Sequence, residues 1–147
     1  MLAVFERVLL LEDVDIFESL DGSALLAIAR AMNIECFSEA MMVCARGDRD
    51  DRLFVLVSGE VEVVRGNHRV ASLRPYDCFG ELSLFDGSAE PLQARSVGDV
   101  ICLSTTRADL YRTLASRPSL ARTVVQEVTQ HLRAHLQLPL ALIATSA

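Results

Sequence analysis

The chain has 147 residues, of which 51% are hydrophobic and 23% charged, with a net charge of −6 at neutral pH. This length predicts one globular domain, residues 1–147, that is large enough to bury a core. The negative charge disfavours general binding to nucleic acid or to an anionic membrane surface.

The first part of the chain has helical periodicity. Apolar residues recur at helical spacing over residues 2–12 and 24–32, and Asp21 or Ser23 is the expected N-cap of the second helix. Residues 1–33 are therefore predicted to form N-terminal helices.

Short strands replace the helices from residue 34 onwards. Runs rich in Val, Ile, Leu and Phe alternate with glycine-containing turns. The strand candidates are 34–37, 41–44, 53–57, 60–64, 69–73, 92–95 and 100–103. Short strands at this spacing favour a closed or double-sheet antiparallel fold. The predicted class is α+β, with an antiparallel β jelly-roll barrel over residues 34–105 between N-terminal helices and a long C-terminal helix.

Helical periodicity returns after the strands, and residues 106–137 are predicted to be helical. Residues 106–114 predict a short helix with Thr105 or Thr106 as its N-cap, and Pro118 suits the first turn of a longer helix.

The long helix predicted over residues 118–137 has one apolar face. Its members recur every four residues and are Leu120, Val124, Val128, Leu132 and Leu136, with Ala121 and Val125 beside them. Two interpretations remain open. The face packs against the barrel, or part of it pairs with a second copy of the chain in a homodimer or with a neighbouring domain. Residues 138–147 are an apolar tail.

Two patterns concern location. No run reaches the roughly 20 apolar residues of a membrane-spanning helix, and charges within residues 1–7 argue against a signal peptide. The cysteines Cys36, Cys44, Cys78 and Cys102 lack C-x-x-C spacing and have apolar neighbours, so buried free thiols are expected. We therefore expect a soluble cytoplasmic chain without a membrane span.

The residues with the clearest chemical pattern are 79–95. Gly80 follows a strand end and permits a close backbone approach or a conformation that side chains disfavour. The amides that follow, on Glu81, Leu82 and Ser83, can then converge on an anion. The carboxylate of Glu81 suits a sugar hydroxyl and would repel a phosphate. A capped turn that binds nothing explains the same spacing.

This stretch, Phe79-Gly80-Glu81-Leu82-Ser83-Leu84, resembles the phosphate-binding cassette of the cyclic nucleotide-binding domain family, approximately F-G-E-L-A-L-x-x-x-x-P-R-x-A. Residues 47–61 resemble a second family signature, in which two glycines bracket a buried strand. The resemblance covers roughly residues 14–135. It implies the jelly-roll fold, a regulatory role, cAMP or cGMP as ligand, and contacts of Gly80 and Glu81 with the ribose and phosphate region, Glu81 binding the ribose hydroxyl.

The second half of the cassette departs from the family pattern. Without a gap, the family's proline falls on Ala89, its phosphate-binding arginine on Glu90, and the two small positions that follow on Pro91 and Leu92. The family pattern further downstream also fits without a gap, so no shift in alignment restores the arginine. Arg95 lies an odd number of residues from Glu90 and is expected on the other face of a strand.

Glycines that are usual in the family are also replaced outside the cassette. Ala40 stands at one such position, and Tyr76-Asp77 replaces another. These substitutions put the geometry of two turns in question more than the fold itself.

The missing arginine has a large energetic consequence. Losing a bidentate arginine–phosphate contact costs about 1.5–3 kcal/mol. A carboxylate about 4 Å from a phosphate adds up to about 4 kcal/mol at an effective dielectric constant near 20. Together these effects weaken binding by roughly three to five powers of ten. The sequence therefore predicts a regulatory module with lost or weakened cAMP and cGMP binding, which acts through domain or protein interaction.

The alternative is a functional cyclic nucleotide sensor cut from a larger regulator or transporter. In that case the amides after Gly80, the hydroxyl of Ser83, or another arginine such as Arg46 or Arg74 would hold the phosphate. No catalytic motif is present, all 14 cationic residues are arginine, and no metal site or cofactor is predicted.

Overall fold

Two helices begin the fold in this computed structural model, which describes residues 2–18, 20–44, 52–80, 93–126 and 129. Helix α1 spans Val4–Leu11 and helix α2 spans Gly22–Arg30, with a 3-10 turn at Asp15–Phe17 between them. The Oδ1 atom of Asp21 accepts a hydrogen bond of 2.8 Å from the N–H of Ala24. Asp21 is therefore the N-cap of α2, one of the two residues that the sequence predicts.

Six strands and helix α3 follow in the described residues. The strands are β1 Asn33–Phe37, β2 Met42–Cys44, β3 Arg52–Arg65, β4 His68–Leu73, β5 Cys78–Phe79 and β6 Gln93–Thr106, and helix α3 spans Arg107–Ala115. The strands pair antiparallel in the order β1-β6-β3-β4, with β2 also on β6 and β5 also on β3. Thr106 caps α3, since its Oγ1 accepts a hydrogen bond from the N–H of Asp109.

Two pairs of predicted strands are each one strand in the structure. The candidates 53–57 and 60–64 both belong to β3, whose register shifts between Leu56 and Ser58 and again between Ser58 and Glu60, across Gly59. The φ of Gly59 is +93°, and a Cβ there would overlap the carbonyl oxygen of Asp99. The glycine therefore makes a bulge within a long strand, where the sequence suggested a turn. Strand β6 continues in the same way past Gly98, which also has a positive φ.

Strand β3 has a hydrophobic cluster on each face. Leu53 and Val55 pack with the helices, on what we call the helix-facing side of the sheet. Phe54 and Leu56 alternate with them and pack with Cys102 on the opposite face, which we call the roll interior. One strand thus separates the helices from the interior of the roll.

A further helix, α4, begins at residue 118 and is described over residues 118–126. Hydrogen bonds from the preceding residue fix its start. Arg117 donates hydrogen bonds to the carbonyl oxygen and the Oγ of Ser23, at 2.8 and 3.0 Å. Leu120 and Val124 are buried in the helix-facing cluster, as packing against the barrel requires, whereas Val125 is 57% exposed. The remaining positions of the predicted apolar face, Val128, Leu132 and Leu136, and the tail 138–147 lie outside the described residues.

The expectation of buried thiols is wrong for one cysteine. Cys102 is 2% exposed, and Cys78 is half-buried, but Cys36 is exposed. Cys36 pairs with Ile101 across β1 and β6, beside a groove on the helix-facing side. Cys36 and Cys102 are free thiols, and the side chain of Cys44 lies outside the description.

Within the described ranges, no helix combines the length and apolar character needed to cross a membrane.

Candidate ligand site

Gly80 is the predicted site residue that lies within the described structure. It is buried directly after β5, its φ is +93°, and a Cβ at this position would overlap the carbonyl oxygen of Arg52. Only glycine fits this close contact between two backbones. The other predicted site residues, Glu81, Leu82, Ser83, Glu90, Pro91 and Leu92, lie outside the described residues, so their contacts remain predictions.

Backbone hydrogen bonds fasten the segment before Gly80 to the middle of β3. The N–H of Leu56 donates to the carbonyl oxygen of Asp77 at 2.9 Å, and the N–H of Tyr76 donates to the carbonyl oxygen of Leu56 at 2.8 Å. The side chain of Asp77 accepts a further hydrogen bond from the N–H of Arg74. The entry to the predicted cassette is therefore held on a rigid strand.

A small cavity lies in the roll interior beside this entry. Apolar side chains of β2, β3, β4, β5 and β6 line it, with Asp77 also in its wall, and its volume is about 10 Å³. A space of this size holds about one water molecule. The described side chains thus form a closely packed, mainly apolar part of the interior.

Glu35 and Arg52 form an ion pair that sequence reasoning missed. Glu35 lies opposite Cys102 across β1 and β6, and the guanidinium of Arg52 pairs with its Oε1 atom. The same guanidinium lies 4.8 Å from the ring centroid of Phe54. Both charged side chains therefore lie on the interior face. In the sequence, each of these charged residues alternates with apolar residues of its strand. This alternation is the pattern that could have indicated an interior position.

The pKa of the Cys102 thiol is consistent with a buried position near Glu35. Burial, together with the smaller effects of the nearby Glu35 and Cys36, raises the pKa of Cys102 to about 12. The thiol is therefore protonated at neutral pH. The contribution of Glu35 agrees with its position on the interior face.

Arg95 points away from the roll interior. Its neighbour Ala94 is completely buried in the interior cluster. Arg95 is exposed and lies opposite Glu62 on β3, where its Nε donates a hydrogen bond of 2.7 Å to Glu62 Oε1. Arg74 is exposed as well. Arg46, the other arginine considered from sequence, lies outside the described residues.

The turn at Ala40 is held by a buried serine of β6. Ala40 adopts a left-handed φ of +59°. The N–H of Met41 donates a hydrogen bond of 2.8 Å to the Oγ of Ser96, and the Ser96 hydroxyl donates to the carbonyl oxygen of Ser38. Ala40 and Tyr76, whose φ is +79°, thus keep backbone conformations that glycine adopts more easily.

A sequence model of the cyclic nucleotide-binding domain family matches residues 34–117. The chain belongs to this family. The match confirms the resemblance seen in the sequence, and it covers all six described strands from β1 residue Ile34 onwards.

Relatives place the cyclic nucleotide-binding domain in regulatory proteins and channels. The chain is 29% identical over 123 residues to the CRP-like cAMP-activated global transcriptional regulator of Mycobacterium tuberculosis, covering 80% of this chain and 55% of the regulator. It is 29% identical over 111 residues to a cyclic nucleotide-gated potassium channel of Rhizobium etli, covering 76% of this chain and 31% of the channel. The chain therefore spans about half of the first relative and about a third of the second.

A solved structure confirms the α+β jelly-roll class. The N-terminal domain of a transcriptional regulator from Streptomyces coelicolor A3(2) superposes with a TM-score of 0.79 at 26% identity, covering 86% of this chain and 94% of that one. In the part of this chain that the structure describes, no three His, Cys, Asp or Glu side chains cluster closely enough to hold a metal ion.

Proposed function

We propose that the chain is a non-catalytic regulatory module of the cyclic nucleotide-binding domain family in which binding of cAMP and cGMP is lost or weakened. Family membership supports the regulatory role. Glu90, at the position of the phosphate-binding arginine, supports weakened binding. The module acts on a neighbouring domain or a partner protein, and the helix predicted over residues 118–137 is its candidate contact surface.

The observation that carries this proposal is the ion pair between Arg95 and Glu62. Arg95 is the arginine nearest in sequence to Glu90, and it is engaged on the outer side of β6. If the side chain of Arg95 turned into the interior, the buried Ala94 would have to turn outwards. The inward and outward alternation of side chains along β6 would then be reversed. Arg95 is therefore unsuited to replace the missing cation.

Two carboxylates strengthen the argument. Asp77 is an exposed residue that also contributes to the wall of the interior cavity, and Glu35 lies on the interior face, where it pairs with Arg52. Asp77 adds negative charge near the start of the cassette, and Glu35 neutralises a guanidinium that could otherwise attract a phosphate.

A second candidate function is that of a working cyclic nucleotide sensor. Gly80 supports it, because its positive φ and its close contact with Arg52 preserve a backbone suited to close ligand approach. The names of the M. tuberculosis regulator and the R. etli channel, which refer to cAMP activation and cyclic nucleotide gating, favour it too.

Isothermal titration with cAMP and cGMP separates the two functions. The native chain should give no binding heat, and Glu90→Arg should gain binding, alone or together with Leu92→Ala to open the small position. Glu12→Arg is the matched control, since it makes the same charge change at an exposed residue after α1. A micromolar dissociation constant for the native chain would contradict the proposal and establish the sensor.

A further inference from the structure

We propose that Glu35 is a specificity-determining residue of the candidate site, because it binds Arg52 in the roll interior and thereby opposes the entry of an anionic ligand. The inference deepens the proposed function and rests on it. It assigns part of the weakened binding to β1, a strand that precedes the cassette by more than forty residues.

The strand registers place the pair on one face. Glu35 is opposite Cys102, and Cys102 is opposite Leu56 on β3. Leu56, Phe54 and Arg52 follow one another at every second residue, so their side chains share that face. The stacking of Arg52 on Phe54 agrees with this placement.

The pair lies beside the entry to the cassette. The carbonyl oxygen of Arg52 is the atom that excludes a Cβ at Gly80. Arg52, which carries the guanidinium, therefore contacts the beginning of the predicted cassette. The side chains of Arg52 and Glu35 are 26% and 28% exposed. Their charges are therefore less screened than those of a surface pair and remain accessible to a ligand.

The charge balance then decides which ligands are favoured. An anion that approaches Arg52 must compete with the Glu35 carboxylate, which already pairs with the guanidinium. The Oε2 atom of Glu35 is buried, without a hydrogen-bond partner in the described part of the chain, and repels the same anion. An uncharged ligand meets neither penalty, so Glu35 selects against negative charge and leaves neutral ligands unaffected.

Nuclear magnetic resonance titrations of the full chain test this inference. The Nε–H of Arg52 and the amide of Gly80 are followed while cAMP, or its uncharged counterpart adenosine, is added to the native chain and to Glu35→Gln. We expect the cAMP concentration at the titration midpoint to be at least about tenfold lower for Glu35→Gln than for the native chain. The adenosine titration should be the same for both proteins. Glu60→Gln is the matched control, since it removes a carboxylate that pairs with Arg69 in the exposed hairpin of β3 and β4 and should leave the cAMP midpoint unchanged.

Several outcomes overturn the inference. They are equal cAMP midpoints for the native chain and Glu35→Gln, no saturable shift in Glu35→Gln, and a gain that survives in the double variant Glu35→Gln/Arg52→Gln. If thermal unfolding shows that Glu35→Gln does not fold, Arg52→Gln replaces it and should weaken cAMP binding without affecting adenosine. An unchanged cAMP midpoint in Arg52→Gln overturns the inference as well.

The proposed function fails by a different result. Micromolar binding of cAMP by the native chain contradicts the loss of cyclic nucleotide recognition, whatever Glu35 does. The ratio between the native and Glu35→Gln midpoints still measures the effect of Glu35 by itself.

Discussion

Gly80 lies against the carbonyl oxygen of Arg52, and the space between the two backbones is too small for a Cβ atom. Two strands that are far apart in sequence therefore meet at the beginning of the predicted cassette. Since Gly80 is the second residue of the predicted cassette, this contact determines where the cassette starts in space.

Replacing this glycine should destabilise the fold. Gly80→Ala forces a side chain into a left-handed conformation and into the Arg52 carbonyl, and we expect a loss of about 1–3 kcal/mol in the free energy of unfolding. Urea unfolding measures it. Gly66→Ala is the control, because Gly66 has a φ of +62° but no atom within 4 Å of a built Cβ. Equal losses at the two positions would show that the contact with Arg52 adds nothing.

The opposite substitution should stabilise the turn before β2. Ala40 has a φ of +59°, so Ala40→Gly removes backbone strain and should raise the free energy of unfolding by about 0.5–1 kcal/mol. Ala71→Gly, at an exposed position of β4, should instead lower it by about the same amount. A loss of stability in both variants, measured by thermal unfolding, would mean that Ala40 is not strained.

A carboxylate in the hairpin of β3 and β4 should give the fold an acid-sensitive component. A hydrogen bond from Ser72 and the charge of Arg69 lower the pKa of Glu60 below its ordinary value of 4.5. A carboxyl group with a lowered folded-state pKa stabilises the fold above its unfolded-state pKa and loses that effect as the pH falls through the folded value.

We therefore expect native and Glu60→Gln chains to differ in stability at pH 6 and to converge as the pH falls below 4.5. Urea unfolding across this range measures the difference. A difference that stays constant down to strongly acidic pH would assign it to shape and packing rather than to the charge.

The thiols of Cys36 and Cys102 should react with a maleimide at very different rates. Cys36 is exposed, whereas Cys102 is buried with a pKa raised to about 12. Because the thiolate is the nucleophile, a maleimide at pH 7 should label Cys36 at once and Cys102 only after unfolding. Peptide mass spectrometry identifies the labelled residue, and Cys36→Ser is the control. Early labelling of Cys102 in the folded chain would contradict its placement in the roll interior.

Much of this fold could be predicted because helix caps and strand alternation depend on residues that are close in sequence. Helix caps at Asp21 and Thr106, and the alternation within β3, follow from side chains a few positions apart. The continuity of β3 did not follow, since a glycine with a positive φ serves a turn and a bulge equally well. Only the partner strand, with Asp99 against Gly59, decides between them.

The candidate site also has features that local sequence predicts and features that depend on distant residues. The importance of Gly80 follows from its local motif, and its close contact agrees with that expectation. The pairing of Glu35 with Arg52 depends on β6 lying between their strands, which no local pattern reveals. The exposure of Cys36 likewise depends on how far the helices extend over the sheet.

The alternation of Leu53 and Phe54 on β3 joins the two hydrophobic clusters through the backbone. Leu53 packs in the helix-facing cluster and Phe54 packs in the roll interior, so one peptide bond connects them. The packing of the helices and the packing of the roll interior therefore share one strand as their support, and a substitution that displaces either side chain acts on both faces of the sheet.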